Sequence, residues 1–86
     1  MPNRNYQKGR RKEYKVCNEL RKQGFKLVQR TAGSHSAVDI IAIDPNRQFI
    51  KLVQCKPNNF TEAETKRLLI ENKDLNGEFV VQFEVV

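Results

Sequence analysis

Val38-Asp39-Ile40-Ile41-Ala42-Ile43 and Phe49-Ile50-Lys51-Leu52-Val53-Gln54-Cys55-Lys56 are two runs rich in branched apolar residues, separated by Asp44-Pro45-Asn46-Arg47. The separator has the residue types of a tight turn, so the pair reads as an antiparallel hairpin. A two- or four-residue connection pairs Ile43 with Gln48 and Asp44 with Arg47. Because side chains alternate faces along a strand, Ile41, Ile43, Ile50 and Leu52 then share one face. Asp39, Gln54 and Lys56 fall on that same face, at the end away from the turn. A three-residue connection would set Asp39 opposite Val53 instead.

A carboxylate, an amide and an ammonium at the margin of an apolar face need an explanation, since a buried charge is costly unless it is paired or binds a metal. An oxygen-rich cluster beside a lysine suits a hard cation such as Mg²⁺ with a phosphate lying against it. An Asp39–Lys56 ion pair at a strand end accounts for the same residues, and spacing does not separate the two readings.

With 86 residues the chain is expected to form one domain, 1–86, with a core small enough for a partner subunit to help cover it. It has no apolar run of about 18 residues, so no transmembrane helix is expected, and its basic start leads into no signal-like apolar segment. Cys17, Cys55 and the lone His35 fall short of a zinc set. Reduced thiols and a cytoplasmic, DNA-associated setting are the expectation. The net charge of +6 is uneven: residues 1–30 carry ten Lys/Arg against Glu13 and Glu19, while residues 31–86 carry six against eight. Basic charge gathered on one segment is the footprint of a nucleic-acid binder, although a solvated basic helix has the same composition.

Residues 1–7 are polar and read as a flexible arm. From Lys8 to Gln23 the period is helical, with Tyr14, Cys17, Leu20 and Val16 facing inward and Arg11, Lys12, Lys15, Arg21 and Lys22 largely outward. Glu13 projects from the inward stripe. The same-helix partner open to it is Arg10, three residues back. Gly24 stands where a left-handed cap residue belongs. Phe25 to Arg30 reads as a first strand, and Thr31-Ala32-Gly33-Ser34-His35-Ser36 as a small-residue loop that permits close approach to a ligand. Phe49 to Cys55 reads as a central strand. Thr61-x-x-Glu64 is a capping box opening a helix to about Asp74, with Ala63, Leu68, Leu69 and Leu75 inward and Ile70 at the edge. Residues 78–86, with Phe79, Val81, Phe83 and Val85 on one face, read as a last strand. The order is αβββαβ, an α/β fold with a mixed four-stranded sheet.

Lys8-Gly9-Arg10, Glu13, Ala32-Gly33-Ser34-His35, Val38-Asp39-Ile40 and Gln54-Cys55-Lys56, in that order, resemble the archaeal-type Holliday junction resolvases of the PD-(D/E)xK nuclease superfamily. The resemblance runs from about Lys8 to Lys56 and more loosely beyond. It implies a restriction-endonuclease-like core and a metal-dependent, structure-selective endonuclease acting on branched or duplex DNA as a homodimer, with no membrane partner. By position it makes Asp39 the central ligand of Mg²⁺, with Mn²⁺ as a substitute, joined by Glu13, Gln54 and the Cys55 backbone carbonyl. Lys56 would orient or deprotonate the attacking water, and Ser34 would sit near the scissile phosphate. Lys8, Arg10, Arg11, Lys15, Arg30, Ser34 and His35 would contact DNA. Gln54 stands where the family usually has Glu, and an amide oxygen ligates without charge. A junction-binding module of the same fold with weak or no catalysis is the alternative, and an RNA-binding or assembly protein is a more distant one.

Overall fold

A computed structural model describes residues 4–31, 37–56 and 59–86, with side chains described from Arg10 onward in the first stretch. Helix α1 spans Arg4–Lys22 and is followed by strands β1 (Leu27–Arg30), β2 (Ile40–Asp44) and β3 (Phe49–Val53). Helix α2 (Glu62–Glu71) and a short 3-10 turn over Lys73–Leu75 complete the regular structure. Residues 4–7 therefore belong to α1 and not to an arm, as no proline interrupts the chain from residue 4 to residue 22.

The end of α1 is closed as its sequence indicates. Gly24 takes a positive φ of 101°, the N–H of Gln23 donates to the Glu19 carbonyl at 3.0 Å, and that of Phe25 to the Leu20 carbonyl at 3.3 Å. Only a residue without Cβ takes that backbone cheaply. Arg21 and Lys22 in the last turn complement the helix dipole. Phe25 leaves the expected strand to bury its ring in the core, tilted against Phe49 with ring centroids 6.0 Å apart. Strand β1 consequently starts at Leu27.

The three strands form an antiparallel meander in the order β1-β2-β3. β2, not β3, is central. Ile40 and Ala42 on its inner face pack with Cys17, Leu20 and Phe25, and Val16, Val28, Val53 and Cys55 border this cluster. Burying a side chain such as Ile40 completely contributes about 1.5–3 kcal/mol, so this small cluster provides much of the stability. Tyr14, expected on the inward stripe, is half exposed.

The hairpin register differs from expectation by two residues. Ile43 pairs with Ile50 and Asp44 with Phe49, leaving a four-residue turn over 45–48. The cause is local. Asp44 Oδ1 accepts the N–H of Asn46 at 3.0 Å, its other oxygen receives Arg47 Nε, and Gln48 takes a positive φ of 52°. These bonds satisfy a carboxylate that is only 3% exposed. Sliding by two residues preserves parity, so Ile41, Ile43, Ile50 and Leu52 still share a face.

Helix α2 opens as its capping box indicates, with the Glu64 N–H donating to Thr61 Oγ1 at 3.2 Å. It stands off the outer face of the sheet, and none of its residues is buried. Between it and β3 lies a groove of about 460 Å³ lined by Ile50, Leu52, Gln54, Lys56, Phe60 and Leu68, among others. The expected fourth strand is absent among the described residues: 78–86 is irregular and exposed throughout, and the sheet has three strands, not a mixed four. Alternating apolar residues show that a segment suits a pleated surface. They do not supply the edge that it must join.

Candidate active site

Asp39 immediately precedes β2, and continuing the β2–β3 register by one pair sets it opposite Gln54. Its backbone N–H donates to the Val53 carbonyl at 2.8 Å, and its carboxylate Oδ2 accepts the Cys55 N–H at 2.7 Å. The carboxylate thus replaces a carbonyl as the last acceptor of the ladder and is fixed there. Its partner is this N–H and not the Lys56 ammonium, which lies over the Phe60 ring, 5.8 Å from the centroid. Gln54 and Lys56 both line the groove beneath α2.

The stretch that carries Ser34 and His35 lies outside the described residues, and Thr31, which precedes it, bonds the Val38-Asp39 segment that follows it. The Thr31 N–H donates to the Asp39 carbonyl at 2.9 Å, and Thr31 Oγ1 donates to the Val38 carbonyl at 2.5 Å.

Glu13 reaches the same end of the sheet from α1, half-buried, and its Oε2 accepts Arg30 Nε at 2.8 Å. The partner comes from β1 and not from the same helix. This pair raises the Arg30 pKa, mainly through the hydrogen bond. The Cys55 thiol lies within the influence of both carboxylates: burial pushes its pKa up, Asp39 and Glu13 add to that, and Lys12 opposes it. Lys12 Nζ also donates to the Lys56 carbonyl, pinning α1 to the end of β3. Sequence periodicity had placed Lys12 on the outward face. Nothing in the spacing marks it as reaching across 44 positions. Arg10, Arg11 and Lys15 are exposed on α1, while Lys8 lies in α1 but its side chain is outside the described ones. Both cysteines are free thiols.

Among the described residues no three His, Cys, Asp or Glu side chains are grouped to hold a metal. The hard oxygen donors on offer are the fixed Asp39 carboxylate, the Glu13 carboxylate held by Arg30, and the Gln54 amide, which lines the groove beneath α2. That chemistry fits a Mg²⁺ that keeps several waters and shares a substrate phosphate, which needs only one or two carboxylates. It does not fit a cage built from the protein alone.

The model of the archaeal Holliday junction resolvase (Hjc) family matches residues 4–83. The chain belongs to this family. Membership of the PD-(D/E)xK superfamily is consistent with it. Searches of curated proteins and of solved structures find no match. The match covers α1, all three strands and α2, so the residues around Asp39 stand within the family's own span. Family membership identifies a nuclease lineage acting on branched DNA. No described helix is long and apolar enough to cross a membrane.

Proposed function

We propose that this family member is a Mg²⁺-dependent, structure-selective endonuclease that hydrolyses phosphodiester bonds in four-way DNA junctions. The observation that carries the reading is the Asp39 carboxylate, fixed by the Cys55 N–H at 2.7 Å beside the Gln54-Cys55-Lys56 strand end. Asp39, Gln54 and the Cys55 carbonyl would hold the metal, with Glu13, tied to Arg30, contributing through water. Bound Mg²⁺ supplies a water of lowered pKa and neutralises phosphate charge. Lys56 would orient or deprotonate the attacking water and stabilise charge on the phosphate, and Ser34, outside the described residues, would serve at the scissile group by its resemblance to the family. Lys8, Arg10, Arg11, Lys15, Arg30 and His35 hold backbone phosphates, contacts that fix position without reading sequence.

A homodimer belongs to this reading. Symmetric cutting of a junction asks for two sites related by a two-fold axis, and an isologous interface provides them. Leu69, Ile70, Phe79, Val81, Phe83 and Val85 are exposed on one chain, a supply of apolar surface that a partner would cover.

A labelled four-way junction incubated with and without Mg²⁺ tests the function. Paired nicks on addition of metal are expected. Binding without cleavage would favour the second reading, a junction-binding module, which the uncharged Gln54 and the Glu13–Arg30 pair support.

A further inference from the structure

Tyr14 is 47% exposed, yet it is not idle on the surface. Arg30 Nη1 donates to its phenol oxygen at 3.1 Å, and the Arg30 guanidinium lies 4.6 Å from the ring centroid. The Arg10 guanidinium lies 5.8 Å from the same centroid, one helical turn before it. Glu13, the residue adjacent to Tyr14, holds Arg30 through Nε at 2.8 Å. Two cations would ordinarily keep apart. Here a ring that attracts both and one carboxylate on the inner side hold them together.

The charges decide what this arrangement suits. Two guanidinium groups against one carboxylate leave a net +1 at the surface, beside a neutral hydroxyl. The phenol oxygen accepts from Arg30, and an accepting hydroxyl still has its own hydrogen to donate to a ligand. The complement is a monoanion with two exposed oxygens, and on the DNA-binding reading that group is a backbone phosphodiester. A shallow concavity lined by Arg11, Tyr14, Lys15 and Lys22, with others, continues along α1 from the same tyrosine, so the basic surface does not stop at one phosphate.

We propose that Tyr14, Arg10 and Arg30 form a pre-organised seat for one backbone phosphate of DNA, with Glu13 anchoring Arg30 in it. The inference rests on the DNA-binding part of the proposed function and not on the metal. It makes Tyr14 a DNA-contacting residue and gives Glu13 a positioning task that operates with no metal bound.

The test is binding in EDTA, by fluorescence anisotropy over a salt series, of labelled duplex and four-way junction to the full chain. Tyr14→Phe keeps the ring under both guanidinium groups and removes only the hydroxyl. It is expected to weaken binding of both DNAs about fivefold, the share of one hydrogen bond. Its salt slope should be that of wild type, because a neutral group releases no counterion. Arg30→Gln should flatten the slope by about 0.9. The double variant should lose less than the two single losses combined, since both side chains serve one phosphate. With 3-fluorotyrosine incorporated in the Tyr6→Phe background, the Tyr14 ¹⁹F resonance should shift on adding DNA. Wild-type affinity in a folded Tyr14→Phe variant, additive losses, or an unmoved resonance overturns the seat. Wild-type protein that binds neither DNA overturns the DNA reading itself, a result distinct from these.

Discussion

The backbone N–H of Cys55 donates to Oδ2 of Asp39 at 2.7 Å, so one carboxylate both ends the β2–β3 ladder and forms the pole of the candidate active site. Asn can accept the same N–H, whereas Ala cannot. Asp39→Asn is therefore expected to fold normally and bind junctions with nearly wild-type affinity in EDTA while losing cleavage. Asp39→Ala should in addition lose about 1–3 kcal/mol of stability, because the N–H is left without its acceptor. Retained cleavage in Asp39→Asn, or an equal loss of binding, would mark the residue as structural.

On the proposed function, Gln54 would set the strength of the metal site. Gln54→Glu adds a charged oxygen next to Asp39, so Mn²⁺ should bind more tightly and junction cleavage should rise at limiting metal. Titration of Mn²⁺ by calorimetry or electron paramagnetic resonance reads the affinity directly. An unchanged isotherm would remove Gln54 from the ligand set.

The exposed row on α1 is expected to carry the salt dependence of DNA binding. If Arg10, Arg11 and Lys15 all touch phosphate, neutralising the three together flattens the slope of log K against log salt by roughly two to three units. A slope equal to that of wild type would place the DNA surface elsewhere.

Asp44 is expected to contribute to the acid sensitivity of the fold. Its hydrogen bond from Arg47, followed by weaker contributions from the turn, holds its pKa below the ordinary aspartate value of 3.8 despite its burial. A folded pKa lower than the unfolded one means that the stabilisation is complete above the unfolded value and is lost as pH falls through the folded one. Urea midpoints should therefore drop below about pH 4 in the wild type. In Asp44→Asn the midpoint should be lower at neutral pH, and this component of the acid dependence should vanish.

The apolar C-terminal third should associate. Sedimentation equilibrium at micromolar concentration is expected to show a dimer, and Phe83→Asp, on a residue 90% exposed in the single chain, should shift it toward monomer. A stable monomer that still cuts a junction symmetrically would end the case for paired subunits.

Asp39 stands out in the sequence because a carboxylate between Val38 and Ile40 on an apolar strand calls for a partner, and the partner is the Cys55 N–H in place of the Lys56 ammonium that spacing allows. Its face survived a two-residue error in register because faces depend only on parity. Tyr14 and Glu13 were not legible in the same way. Both sit three or four positions from Cys17, so the helical period drew them toward the core. What fixes them is Arg30, 16 and 17 positions away, and that pairing exists only once β1 lies against α1. Lys12 fails for the same reason, since its acceptor is a backbone carbonyl with no residue signature. In residues 78–86 the alternation records a compatible surface, and no neighbouring edge takes it up among the described residues.

The meander has a kinetic consequence. Each strand pairs with the one next to it in sequence, and α1 packs on β1 and β2, the two strands that follow it. The strand pairings therefore close only short loops, and local pairing of this kind goes with fast folding. Substitutions at Leu20 or Ile40 are expected to slow refolding in stopped-flow experiments. Substitutions in α2, which joins no buried cluster, should leave the folding limb untouched. The surface that carries Asp39 would then be in place early, before the C-terminal third settles.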